Sequence, residues 1–178
     1  MKILIRSATL ADANAVQRLA GQLGYPMDSQ TLSERLAAIL DDPGQTLLIA
    51  EIESQVCGWV YLLAGPDLLS GATAEIGGLV VDENRRGLGV GKALLQRAWD
   101  WAHHQGYREL RVRSNTAREP YVKAFYLANG YEVVKTQWVL KRPTTADPAR
   151  DRRGSSLADR GLMTDDGPAQ EQRGIPDR

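Results

Sequence analysis

Three glycines, at positions 87, 89 and 91, alternate with Leu88 and Val90 just after the apolar run 74–81. Arg85, Arg86 and Lys92 stand on either side of them. Glycine lets a backbone adopt positive φ and come close to a ligand. If the following residues are helical, the first turn of that helix offers unpaired amide N–H groups and the positive end of the helix dipole. Together these make a seat for an anion, most naturally a phosphate or pyrophosphate. The spacing lacks the Gly-Lys-Ser/Thr ending of a mononucleotide loop. It also lacks the glycine spacing and early position of the dinucleotide fingerprint. A turn of this kind serves structure as readily as ligand binding, so the pattern alone leaves both open.

The remaining chemistry-bearing residues have simpler readings. His103 and His104 fall late in the helical stretch that follows the glycines and read as solvated helix residues. The lone Cys57 lies mid-strand and reads as a small core filler rather than a nucleophile; it allows no intramolecular disulfide. Trp59 and Tyr61 alternate on one face of the same strand, where they can line an acceptor pocket but fit core packing better. No Cys/His cluster offers a metal site.

The elements that must position these residues follow from periodicity. Residues 2–6 read as a short strand. Thr9 and Asp12 form a capping-box-like start for a helix on Ala13, Val16, Leu19, Ala20 and Leu23, which Gly24 ends. Leu32, Leu36, Ile39 and Leu40 mark a second helix before residues 41–44. Strands at 46–53 and 56–64 form a hairpin through Ser54 and Gln55, and 65–73 is a loop. A strand at 74–81 leads into a helix at 87–105 with Val90, Leu94, Ala98 and Trp101 along one stripe. Leu110 to Val112 centre another strand, Pro120 opens a helix closed by Asn129 and Gly130, and 131–140 alternates as a last strand. This order predicts a mixed α/β sheet with helices on its faces.

Composition is that of an ordinary globular chain: 178 residues, 43% hydrophobic, 25% charged, with 22 basic and 22 acidic side chains. Balanced charge argues against a nucleic-acid partner. No apolar run is long enough for a membrane span, and no signal peptide is evident, so a cytoplasmic location is expected. Residues 143–178 contain no Phe, Trp or Tyr but four Pro and four Gly. Such a segment has little apolar surface to offset ordering, so a domain at 1–142 with a disordered tail at 143–178 is expected.

The segment Arg86-Gly87-Leu88-Gly89-Val90-Gly91 resembles the hallmark turn of the GNAT acetyltransferase superfamily. The following Lys92-Ala93-Leu94-Leu95, the stretch from Arg108 to Asn115, the Phe125-Tyr126 pair and Asn129-Gly130-Tyr131 are similar to that family's later motifs, in order and spacing. The resemblance spans 2–142. It implies a central mixed, mostly antiparallel sheet flanked by helices, as in acyl-CoA N-acyltransferases, and transfer of an acetyl group from acetyl-CoA to a primary amine by direct attack in a ternary complex. It implies no metal.

By that resemblance the pyrophosphate rests on main-chain amides of Arg86, Gly87, Leu88, Gly89, Val90, Gly91 and Lys92. The pantetheine arm runs along Leu79, Val80 and Val81; Asn115, at the end of the neighbouring strand, reads either as a contact to that arm or to the amine, or as a loop cap. Tyr126 matches the family's acid for the departing thiolate, the alternative being a core aromatic; apart from the resemblance, Glu75 at the start of its strand reads either as the base for the amine, directly or through water, or as a solvent-facing charge. A small-molecule or peptide amine is the expected partner, and a homodimer is one open oligomeric state. The alternative is a catalytically inactive acetyl-CoA-binding sensor or partner domain. A nucleotide-binding protein ranks last, for want of a metal-binding Ser/Thr.

Overall fold

A computed structural model describes residues 2–69, 71–115 and 120–141. In chain order the elements are β1 (Ile3–Ser7), a 3-10 turn (Leu10–Asp12), α1 (Ala13–Gln22), α2 (Ser29–Asp41), β2 (Gln45–Ile52), β3 (Gln55–Asp67), β4 (Gly71–Val81), a 3-10 turn (Glu83–Arg85), α3 (Val90–His104), β5 (Leu110–Val112) and α4 (Pro120–Ala128). The five strands form one sheet in the order β1-β2-β3-β4-β5. The first three neighbouring pairs are antiparallel, and β4 with β5 is parallel. This is the expected mixed, mostly antiparallel sheet, with α3 as the crossover between its parallel strands.

Each face of the sheet carries its own core, because strand residues alternate faces. Leu48, Ala50, Ile52, Val60, Leu62 and Ile76 face Val90, Leu94, Leu95 and Ala98 of α3. Leu47, Ile49, Trp59 and Val80 face Val16, Leu19 and Ala20 of α1 and Leu32 and Leu36 of α2. The first helix is tied down by charge. Arg6 of β1 forks onto both oxygens of Asp12, at 2.8 and 2.7 Å, and its Nε donates to Glu51 at 3.0 Å. Asp12 is only 6% exposed and also accepts from the amide of Thr9, the capping arrangement foreseen from sequence. Its carboxyl is held well below the ordinary range, at about 2, chiefly by the Arg6 hydrogen bonds.

Several boundaries differ from the sequence reading. The β2–β3 turn is made by Glu53 and Ser54, both at positive φ, one residue earlier than expected. Most of 65–73, read as a loop, lies in β3 and β4, which form a long hairpin. The segment 131–141 contains no strand. Alternation of Val133, Lys135, Gln137 and Val139 says which residues would share a face, but a strand exists only where a ladder partner takes its backbone groups. Val133, Val134, Trp138, Val139 and Leu140 are all exposed. Residues Met1–Glu132 form one compact unit and Val133 begins another. The expected tail, 143–178, lies outside the described residues.

Candidate functional site

The last residue of β4, Val81, is followed by a tightly anchored connection. Asp82 caps the 3-10 turn by accepting from the amide of Asn84 at 3.1 Å, and Arg18 of α1 pairs with the same carboxylate. That guanidinium lowers the Asp82 pKa below its ordinary range. The amide of Glu83 donates to Gln22 at 3.1 Å. Helix α1 thus holds the entry to the glycine turn. A hollow of about 470 Å³ lined by Arg18, Gln55, Cys57, Asp82 and Arg85 adjoins this entry. Its Arg18 charge is already taken by Asp82.

Gly87 and Gly89 lie in the left-handed region at φ 76° and 82°, and a Cβ on either would meet nothing within 4 Å. The positive φ, not crowding, is what demands glycine there. Gly89 caps α3 as its left-handed N-cap residue. The first amide to close the helix is that of Ala93, onto Gly89 O at 3.0 Å. The amides of Val90, Gly91 and Lys92 therefore precede the helical ladder, and Arg86, Leu88 and Lys92 are exposed around them. The helix begins at Val90, three residues later than the sequence suggested, because the turn itself occupies 86–89. Val90 has only its amide to offer a ligand, since its side chain is fully buried in the α3 core.

Gly91 has a different role. A Cβ there would meet Phe125 Cζ at 3.0 Å and Val81 Cγ2 at 3.7 Å. The bare Cα lets α4 seat Phe125 on the first turn of α3, beside the end of β4. Tyr126 follows directly, with its ring edge-on to Phe125 at 5.3 Å and to Tyr131 at 5.4 Å. Burial, reinforced by the neighbouring Tyr126 phenol, pushes Tyr131 up to about 12. Phe125, Tyr126 and Tyr131 pack against the same core as Leu79, Val81, Leu110 and Val112.

The sheet opens between β4 and β5. Their ladder covers only Ala74–Ile76 against Leu110–Val112. Beyond Ile76, β4 runs on to Val81 paired, among the described residues, with β3 alone, with a bulge at Gly77. Leu79, Val80 and Val81 therefore present one main-chain edge outside any ladder among the described residues. Here β5 ends at Val112, so Asn115 lies beyond the strand in an exposed, irregular stretch and not at its end.

Glu75 is not at the start of its strand; β4 begins at Gly71. Its Cα is in register with Leu63 of β3 and Arg111 of β5. Its carboxylate pairs with Arg113 at 3.0 Å. No site role is read for Arg113 from sequence, because its pairing with Glu75 joins distant segments.

The other expectations resolve simply. His103 stacks on Trp99, with centroids 5.0 Å apart, on the exposed C-terminal part of α3. Cys57 is buried, reaches the carbonyl of Ala50 at 3.4 Å, and has its thiol pKa raised by burial. Tyr61 donates to Gln45 and is raised above the ordinary tyrosine value by burial. Trp59 is buried in the α1/α2 core, with its indole N–H lacking a partner among the described residues. Among the described residues no group of three His, Cys, Asp or Glu is placed to hold a metal ion, and no helix is long and apolar enough to cross a membrane.

Comparison with known proteins bears on this geometry. The model of the acetyltransferase (GNAT) family matches residues 13–131. The aminoglycoside N(6')-acetyltransferase type 1 of Stenotrophomonas maltophilia is 29% identical over 133 residues, which is 72% of this chain and 85% of the relative. Among solved structures, AAC(6')-Iy bound to the bisubstrate analogue CoA-S-monomethyl-acetylneamine superposes with a TM-score of 0.73 at 18% identity, over 80% of this chain and 99% of that one. A GNAT family acetyltransferase of Staphylococcus aureus superposes with a TM-score of 0.68 at 20% identity, over 80% of this chain and 100% of that one.

Proposed function

The chain belongs to the acetyltransferase (GNAT) family, and from that membership we propose that it transfers the acetyl group of acetyl-CoA to a primary amine of a small molecule. The observation that carries this reading is the opened sheet. The β4–β5 ladder stops at Ile76, while β4 continues to Val81 and feeds a glycine turn at the head of α3. An extended amide-bearing arm fits the vacated edge, and a pyrophosphate fits the helix amides a few residues further on.

In this reading the amides of Arg86 through Lys92 hold the pyrophosphate, with Arg86 and Lys92 supplying positive charge. Main-chain groups of Leu79, Val80 and Val81 take the pantetheine arm. An N–H of that edge polarises the thioester carbonyl, where negative charge develops. Asn115 is a further contact to the arm. Glu75 accepts the proton of the amine, directly or through water, as nitrogen attacks the carbonyl carbon. The C–S bond then breaks, and Tyr126 gives its proton to the departing thiolate. Aminoglycosides are the first acceptors to test, because the curated relative acts on them and so do proteins of the same fold.

A thiol-release assay with acetyl-CoA across simple amines, amino acids, peptides and aminoglycosides tests the proposal. The expected outcome is acceptor-dependent release with mass-verified N-acetylation. Tight acetyl-CoA binding without turnover on any amine would overturn it in favour of a binding domain.

A further inference from the structure

We propose that Arg113 is a placeholder for the acceptor's ammonium group on Glu75, and so a residue that sets acceptor affinity by competing with the incoming cation. This rests on the reading above that Glu75 faces the acceptor. The ion pair is asymmetric. The Glu75 side chain is 19% exposed, whereas that of Arg113 is 75% exposed, and the two meet at 3.0 Å.

Their backbones differ in the same sense. Glu75 is fixed inside β4, between Leu63 on one side and Arg111 on the other. Arg113 stands one residue past the end of the β4–β5 ladder, in a stretch without regular structure. The anion thus belongs to the wall, and the cation reaches in from solvent. Arg111, the neighbour across the ladder, donates to Glu109 at 2.8 and 2.9 Å, so a second guanidinium next to Glu75 already has a carboxylate of its own.

A half-buried carboxylate gains from a counter-charge beside it. A long, exposed arginine supplies that charge weakly, because solvent screens it and its side chain loses entropy when held. An alkylammonium that enters beside Glu75 can replace the guanidinium with no moment of uncompensated charge. A neutral or anionic molecule cannot. The pair therefore admits amines by exchange, and Arg113 competes with every one of them.

The test is calorimetric titration of neamine and of 1,4-diaminobutane into the full chain with coenzyme A present. Wild type, Arg113→Met, Arg113→Lys and Glu75→Gln are compared, with a melting curve for each. Arg113→Met should bind both amines at least threefold more tightly, Arg113→Lys should fall back toward wild type, and Glu75→Gln should bind at least tenfold more weakly. Unchanged or weaker binding in Arg113→Met, wild-type affinity in Glu75→Gln, or no amine binding at all would each overturn the proposal. Acetyl transfer is measured in parallel. The expected binding pattern without transfer retains the seat and removes the acetyltransferase reading. Transfer with unaltered Arg113→Met affinity does the reverse.

Discussion

Gly89 combines two demands that no other residue meets: a left-handed φ of 82° and an open approach to the first amides of α3. Valine at this position strains the backbone by about 1–3 kcal/mol and puts methyl groups where a pyrophosphate would lie. Gly89→Val should weaken acetyl-CoA binding at least tenfold by calorimetry in protein that is still folded. Undiminished affinity would move the phosphate away from this turn. Tyr126 poses the complementary question, one of rate rather than binding. Its ring is clasped edge-on by Phe125 and Tyr131, and Tyr126→Phe keeps those contacts while removing the hydroxyl. Loss of a general acid lowers turnover by about 10²–10⁴-fold when chemistry is limiting. The kcat of Tyr126→Phe should fall in that range with KM for acetyl-CoA little changed, as measured by steady-state kinetics with a pre-steady-state check on the limiting step. A wild-type kcat would exclude the role, and joint loss of binding and rate would mean that the hydroxyl serves structure.

At the scale of elements, the clamp of β1 onto the first helix has a signature in pH. Asp12 ionises at about 2 in the folded protein against an ordinary 3.8, because Arg6 holds its charged form. A depressed carboxylate stabilises the fold above its unfolded value and loses that contribution as pH falls through the folded one. The difference corresponds to about 2 kcal/mol, lost between roughly pH 5 and pH 2. Asp82 is depressed in the same sense by Arg18, so the Asp12 share is read by difference. Urea unfolding of wild type and Asp12→Asn should differ by about that amount at pH 7 and converge toward pH 2. A gap that does not change with pH would show that the loss lies in packing, not in charge. Contacts between close residues of this kind were legible in the sequence: Thr9 with Asp12, the Val90, Leu94, Ala98 stripe, and the strand-to-helix passage through the glycines. What required the structure was pairing across the chain. Alternation in 131–140 is compatible with a strand but carries no information on a partner. The register that sets Glu75 beside Arg111, the reach of Arg113, and the seat of Phe125 on Gly91 depend on how β5 and α4 return to β4, which no local pattern encodes.

For the molecule as a whole, everything assigned to catalysis lies within the unit Met1–Glu132. Both cores lie there: α3 covers one face of the sheet and α1 with α2 the other, through buried side chains from before residue 100, with Leu110, Val112, Phe125, Tyr126 and Tyr131 packed against the α3 core. The sequence from 143 onward adds no aromatic side chain and little apolar surface, so it has few means of contributing burial energy to either core. We therefore propose that 143–178 is dispensable for folding and activity. A chain ending at Arg142 should melt within a few degrees of the full chain, since about 1 kcal/mol corresponds to roughly 2–4 °C at this size. Its kcat and KM for acetyl-CoA should match those of the full chain, because no residue of the proposed machinery is removed. A fall of ten degrees or more would mean that the deleted segment packs on a core. Normal melting with lost activity would mean instead that it reaches the acceptor, and scanning successive truncations from the C-terminus for acceptor KM would then locate the residues responsible.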